Sequence, residues 1–193
     1  MNRGSLGCLF EIVETLVLTV VIFLVIQTFV AQPYRVEQQS MQHTLEQGQY
    51  VLVDKLTPHW DSYSRGDIVV FRPPDADEED ADEVPFIKRV IGTAGDTVEI
   101  RAGRVYVNDE VLEEGYLYED QPTDAGDRDL FEVGEGTLFV MGDHRANSTD
   151  SRFFGPIDVT DVVGRAVVRY WPISAFTILQ TPRYEGVPLA GAP

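Results

Sequence analysis

The run from Ile12 to Ala31, IVETLVLTVVIFLVIQTFVA, constrains this chain more than any other stretch. Thr15 to Ala31 carries no charge, and only Thr15, Thr19, Gln27 and Thr28 are polar. At about 1.5 Å per residue, about 20 residues cross a hydrocarbon core about 30 Å thick. The run therefore predicts a transmembrane helix over 12–31, with Glu14 near one interface and Arg35 beyond the other. It exceeds the roughly 7–15 residues of a cleavable apolar segment. A cut after Ala31 would also place Phe29 where a small residue is needed. The reading is a retained anchor. Arg3 and Arg35 lie on opposite sides of it, so charge favours a cytoplasmic N-terminus (residues 1–11) only weakly.

Beyond the anchor the pattern shortens to period-2 runs rich in Val, Ile, Tyr and Phe: YVLVDKL (50–56), DIVVF (67–71), FIKRVIG (86–92), TVEI (97–100), RVYVN (104–108), TLFVMG (137–142) and VGRAVVRYW (163–171). Gly66, Gly95, Gly103 and Asn108-Asp109 punctuate them. No long helical period follows residue 32. The expected fold class is mostly antiparallel β, carried on one N-terminal transmembrane helix. The β domain is expected over 32–172, and 173–193 should form a C-terminal segment ending in a loose tail. DADEEDADE (75–83) has seven acids in nine residues between prolines, and its self-repulsion predicts a solvated loop.

Composition removes several functions. With 32 acidic against 15 basic residues and a net charge of −17, the chain has no basic footprint for nucleic acid. One cysteine, Cys8, allows no internal disulfide. The histidines, His43, His59 and His144, have no compact metal-ligand spacing. GDHRANSTDS places Arg145 and Ser148 where a calcium loop needs a ligand and a glycine. No metal or cofactor is therefore expected. A triad of Ser40, His144 and Asp143 can be assembled on paper, without the elbow motif that usually accompanies one.

Ser40 and Lys88 suggest different chemistry. Ser40 follows the anchor by nine residues, close to the membrane surface. Only two of the 15 basic residues are lysines, Lys55 and Lys88, and lysine alone offers an amine that can lose its proton. Alternation in FIKRVIG puts Lys88 on one face with Phe86 and Val90, opposite Ile87, Arg89 and Ile91. There it either snorkels to solvent or is desolvated, which lowers its pKa and fits it to act as a serine's general base.

At these residues the chain resembles the type I signal peptidases, membrane-bound Ser–Lys enzymes that remove signal peptides from exported proteins. SMQHTL (40–45) resembles the family's SMxPTL, KRVIGTAGD (88–96) its KRVIGxPGD, and GDHRANSTDSRFFG (142–155) its GDNRxNSxDSRxxG. The three blocks come in the family's order, after an anchor, and cover roughly residues 10–172. The resemblance implies Ser40 as nucleophile and Lys88 as general base. It implies Ser148 as the hydroxyl that hydrogen-bonds and orients the lysine, and Asp150 and Arg152 as a structural pair. The Ser40 N–H would be one oxyanion donor. Gln38, where some members carry a serine, either supplies a second through its amide or leaves that donor missing. His43 and Ala94 stand in place of prolines, and His144 in place of asparagine.

The resemblance further implies a β-barrel-like catalytic domain with a small β region inserted at about 100–136. It implies that this domain faces the extracytoplasmic side of the cell membrane. Signal peptides of preproteins would be the substrate, the lipid bilayer and no nucleic acid the surroundings, and a monomer the working form. Two alternatives stand beside it: another Ser–Lys processing peptidase, and a non-catalytic membrane-tethered β domain.

Overall fold

The computed structural model of the chain describes residues 3–56, 58, 62–74, 84–119, 121–182, 184, 186 and 187, with side chains from Phe10 onward. Helix α1 (Arg3–Val25) continues through a π-helical turn at Ile26–Val30 and passes directly into strand β1 (Ala31–Arg35). Phe10–Val30 is long and apolar enough to cross a membrane, with a mean hydropathy of 2.4 and no part buried against the domain. The helical segment thus begins earlier than the expected 12–31. It ends one residue sooner, because Ala31 pairs with Asp54 in the sheet. Pro33 is tolerated in β1 because the strand lies at the sheet edge.

The following strands are β2 (Tyr50–Asp54), β3 (Ile68–Phe71), β4 (Phe86–Gly92), β5 (Thr97–Arg101), β6 (Arg104–Val107), β7 (Glu110–Val111), β8 (Leu130–Glu132), β9 (Thr137–Met141), β10 (Ile157–Asp158), β11 (Val162–Trp171) and β12 (Thr177–Ile178). Helix α2 (Ser151–Phe154) lies between β9 and β10. The larger sheet runs β1-β2-β11-β3-β4-β9-β10, with β12 on β11, and curls into a half-barrel. The smaller runs β7-β6-β5-β8. It occupies 97–132, somewhat earlier in the chain than the expected inserted region. Ala102 and Gly103, and then Asn108 and Asp109, all at positive φ, make its two-residue hairpin turns.

Strands β3 and β4 are central, and from Ile87 to Gly92 every residue of β4 is buried. This is what draws Lys88 and Arg89 inside. Arg65 and Asp96 tie the loops before β3 and after β4 through a buried bidentate ion pair, at 2.7 and 2.5 Å.

The C-terminal segment corrects an expectation. Leu179 N–H donates to the Val167 carbonyl at 2.9 Å, and Thr181 Oγ1 donates to Asp67 Oδ1 at 2.6 Å. Tyr184 and Val187 are then buried in the apolar cluster that backs the smaller sheet. The segment is a packed strap at these positions, since two large apolar groups gain more from burial than their ordering costs. Residues 188–193, like the acidic run 75–83, lie outside the described residues.

Candidate active site

The SMQHTL block forms a tight turn between β1 and β2. Met41 and Leu45 are fully buried in one cluster with Val51 and Val53, and Leu45 N–H donates to the Met41 carbonyl at 2.7 Å. Burying two such side chains contributes about 1.5–3 kcal/mol each, which holds the turn shut around Ser40. His43 sits at φ 83, a left-handed conformation that proline cannot adopt. The turn therefore differs from one built around the family's proline.

Ser40, in the turn between β1 and β2, and Lys88, on central strand β4, are brought together across 48 residues of sequence. Lys88 Nζ lies 2.8 Å from Ser40 Oγ, with Lys88 1% and Ser40 5% exposed. As an ammonium, Lys88 donates to the hydroxyl; as a neutral amine, it accepts the hydroxyl's proton. Burial pulls its pKa down from 10.5 to about 8, against the opposing pull of the Asp150 carboxylate. Of the two readings left open by the sequence, the structure gives the desolvated lysine.

Arg89, on the other face of β4, makes a bidentate ion pair with buried Asp143 at 2.9 and 2.7 Å. It also donates to the Gly66 carbonyl at 2.8 Å. Thr44 Oγ1 donates to the same Asp143 at 2.5 Å. The Ser40-bearing turn is thus tied to the 142–144 turn. Sequence reasoning missed this pair. The signal was present, because an arginine on a buried face of a strand needs a carboxylate. The triad on paper is not assembled: Asp143 serves Arg89 and Thr44, and the His144 ring bonds Gln42 Oε1 at 2.9 Å rather than Ser40.

Asp150 and Arg152 form a buried pair, with Arg152 Nε to Oδ1 at 2.8 Å and Nη2 to Oδ2 at 2.9 Å. Asp150 also caps α2 and accepts from Gly142 N–H at 3.0 Å, while Arg152 reaches the Arg145 carbonyl at 2.8 Å. Ser148 departs from what the resemblance implies. Its Oγ is buried and has no hydrogen-bond partner among the described residues, so in this structure Lys88 is held by Ser40 and not by Ser148. Gln38 lies in the same cleft and makes no hydrogen bond among the described residues.

The cleft has a volume of about 770 Å³, and Gln38, Ser40, Phe86, Lys88, Ser148 and Phe153 are among its walls. Beside Ser40 a recess of about 10 Å³ opens between Val36, Met41, Pro85 and Ile87, room for little more than one methyl group. A curled β domain on a membrane-length helix, with an amine and a hydroxyl joined in an open cleft, defines a class of anchored hydrolase.

Comparison with known proteins narrows the class. The family described as signal peptidase, peptidase S26, matches residues 9–171. Signal peptidase I of Leptolyngbya laminosa is 39% identical over 90% of this chain and 85% of its own. Signal peptidase I of Bacillus licheniformis is 37% identical over 90% and 94%. The chloroplastic thylakoidal processing peptidase 1 of Arabidopsis thaliana is 35% identical over 80% of this chain and 46% of its own. The chain belongs to the signal peptidase family, peptidase S26.

Proposed function

We propose that this chain is a type I signal peptidase in which Ser40 is the nucleophile and Lys88 its general base. The single observation that carries the assignment of roles is the buried contact of 2.8 Å between Lys88 Nζ and Ser40 Oγ. Neutral Lys88 takes the hydroxyl proton as Oγ attacks the scissile carbonyl, forming a tetrahedral oxyanion. The Ser40 N–H and the free amide of Gln38 are the proposed donors to that oxygen. The lysine then returns its proton to the leaving amine, and the acyl group stays on Oγ. A water then gives its proton to neutral Lys88 as its oxygen attacks the acyl carbon; the bond to Ser40 Oγ breaks, Oγ takes the proton back from Lys88, and the new C-terminus leaves. Ser148 Oγ, buried in the cleft wall without a partner, is the hydroxyl that would hold the amine once Ser40 is acylated. A buried hydroxyl left unbonded costs about 1–3 kcal/mol.

The substrates are signal peptides of preproteins, and the methyl-sized recess beside Ser40 favours alanine next to the cut. The α1 helix lies in the lipid bilayer of the cell membrane, N-terminus cytoplasmic and β domain outside. One copy holds the whole proposed site, which supports a working monomer. The test is cleavage of a reporter preprotein with an Ala-x-Ala site by the purified chain, with Ser40→Ala beside it. Wild type should cut after the second alanine and Ser40→Ala not at all. Wild-type rates in Ser40→Ala would overturn the assignment.

A further inference from the structure

Outside the proposed dyad, one cluster of side chains grips the nucleophile-bearing turn from the smaller-sheet region. We propose that His144, held between Tyr118 and Gln42, is a positioning residue that fixes the orientation of Ser40. The proposal rests on the reading of Ser40 as nucleophile. His144 reaches the turn twice. Its backbone N–H donates to the Ser40 carbonyl at 2.9 Å, and its ring Nδ1–H donates to Gln42 Oε1 at 2.9 Å. The amide oxygen can only accept, so Nδ1 carries the proton. With Nδ1 committed there, and no hydrogen bond from the ring to Ser40 among the described residues, this imidazole acts through placement and not through proton transfer.

The other face of the ring is set from the segment between β7 and β8. Tyr118 lies against His144 with centroids 4.3 Å apart at 39°, and Tyr118 N–H donates to the Asp143 carbonyl at 3.0 Å. One residue earlier, the Leu117 carbonyl accepts from His43 Nδ1–H at 2.8 Å. Residues 117 and 118 are therefore stitched to both halves of the site, the 40–44 turn and the 142–144 turn.

The two histidines involved are the two departures from the resembling motifs at 43 and 144. Proline at 43 would stiffen the turn by its ring, and His43 at φ 83 gives that up. The bonds to Leu117 and Gln42 and the Tyr118 stack restore stiffness from outside the turn. Asparagine at 144 could donate to Gln42 from nearly the same point as Nδ1, but it offers no ring face to Tyr118. The region carrying the smaller sheet thereby braces the nucleophile. A displacement of the attacking oxygen by about 1 Å is enough to lose about 100-fold in rate, so such a brace acts on kcat.

The experiment compares steady-state cleavage of the reporter preprotein by wild type, His144→Ala, His144→Asn, Tyr118→Leu, the His144→Ala/Tyr118→Leu double variant and Ser40→Ala, with melting curves for each. His144→Ala and Tyr118→Leu should each lower kcat about tenfold with KM little changed, the size expected for a lost bond or ring contact acting on alignment. The double variant should be little worse than either single one, because the two residues act as a unit. His144→Asn, which keeps a donor toward Gln42 but offers no ring face to Tyr118, should fall with Tyr118→Leu and not near wild type. Should His144→Ala melt early, Tyr118→Leu and His144→Asn are judged by the same rule. Values of kcat within about twofold of wild type in both ring variants, with Ser40→Ala inactive, would overturn the brace and leave the nucleophile standing. A His144→Asn variant close to wild type beside a loss of about tenfold in Tyr118→Leu would equally overturn it, because both lack the ring contact. An active Ser40→Ala would instead remove the reading on which it rests.

Discussion

Gly142 and Ser40 approach so closely that a Cβ on the glycine would lie 2.6 Å from the Ser40 carbonyl oxygen, and nearer still to Ser148 Oγ. The glycine is needed here for space, at a point where two blocks distant in sequence pass over one another. Gly142→Ala must push Ser40 or Ser148 aside, and both line the cleft. It should lower kcat by about 100-fold, the cost of a misplacement near 1 Å, and lower the melting temperature as well. Wild-type kcat in Gly142→Ala would mean that these two turns can separate without moving Ser40.

The second prediction concerns the base. Lys88→Ala and Lys88→Arg should both be inactive, because guanidinium stays protonated and cannot accept the serine proton. In wild type, kcat/KM should rise with pH through about 8, the value to which burial lowers the Lys88 amine. A profile measured from about pH 6 to about pH 10 reads this directly. Activity in Lys88→Arg, or a profile flat across that range, would remove Lys88 from the mechanism.

Asp150 and Arg152 support a third. Their side chains are 0% and 2% exposed, so removing one leaves the other charged, buried and unpaired. Arg152→Met should destabilise the fold by about 3–5 kcal/mol, read by urea unfolding. Asp150→Ala should do the same and should also lower activity, because Gly142 N–H loses its acceptor. A cost below about 1 kcal/mol in both would show that the pair is solvated.

The period-2 runs made most of the larger sheet legible, because a strand buried on both faces must be rich in Val, Ile and Phe, as β3 and β4 are. Strand β1 was not legible. AQPYR has a proline and little alternation, and it becomes a strand only because Tyr50–Asp54 offers an edge to pair with. Tyr184 and Val187 sit among Gly and Pro, which read as tail, and their burial depends on an apolar cluster assembled from β4, β5, β6, β8 and β9. In the site, alternation leaves Lys88 between a solvated and a desolvated reading, and it is the resemblance of the SMQHTL, KRVIGTAGD and GDHRANSTDSRFFG blocks that names Ser40 and Lys88. The Arg89–Asp143 pair and the Tyr118–His144 contact join residues far apart in the chain; a buried strand arginine signals that it needs a carboxylate, but one-dimensional spacing does not say which one. Ser148 shows the converse: the motif implies a bond that the side chain does not make here.

The last prediction follows from the cost of keeping Lys88 dry. Its pKa is about 8 in the folded chain and 10.5 when exposed. Between those values the unfolded chain binds the proton more tightly than the folded one. Stability must therefore rise with pH across that window, level off above the unfolded value, and be lower by a constant amount below the folded one. The gap corresponds to about 3 kcal/mol. Lys88→Met keeps an apolar side chain of similar length with nothing to titrate, so its stability should lack this slope. At pH 7 the variant should be the more stable protein although it cannot cleave. Urea unfolding of both proteins from about pH 7 to about pH 11 gives the difference curve. Parallel curves would show that Lys88 is solvated and keeps its ordinary pKa. A difference that shrinks as pH rises from about 8, and has largely vanished near 10.5, is the outcome that a buried, neutral-leaning amine requires.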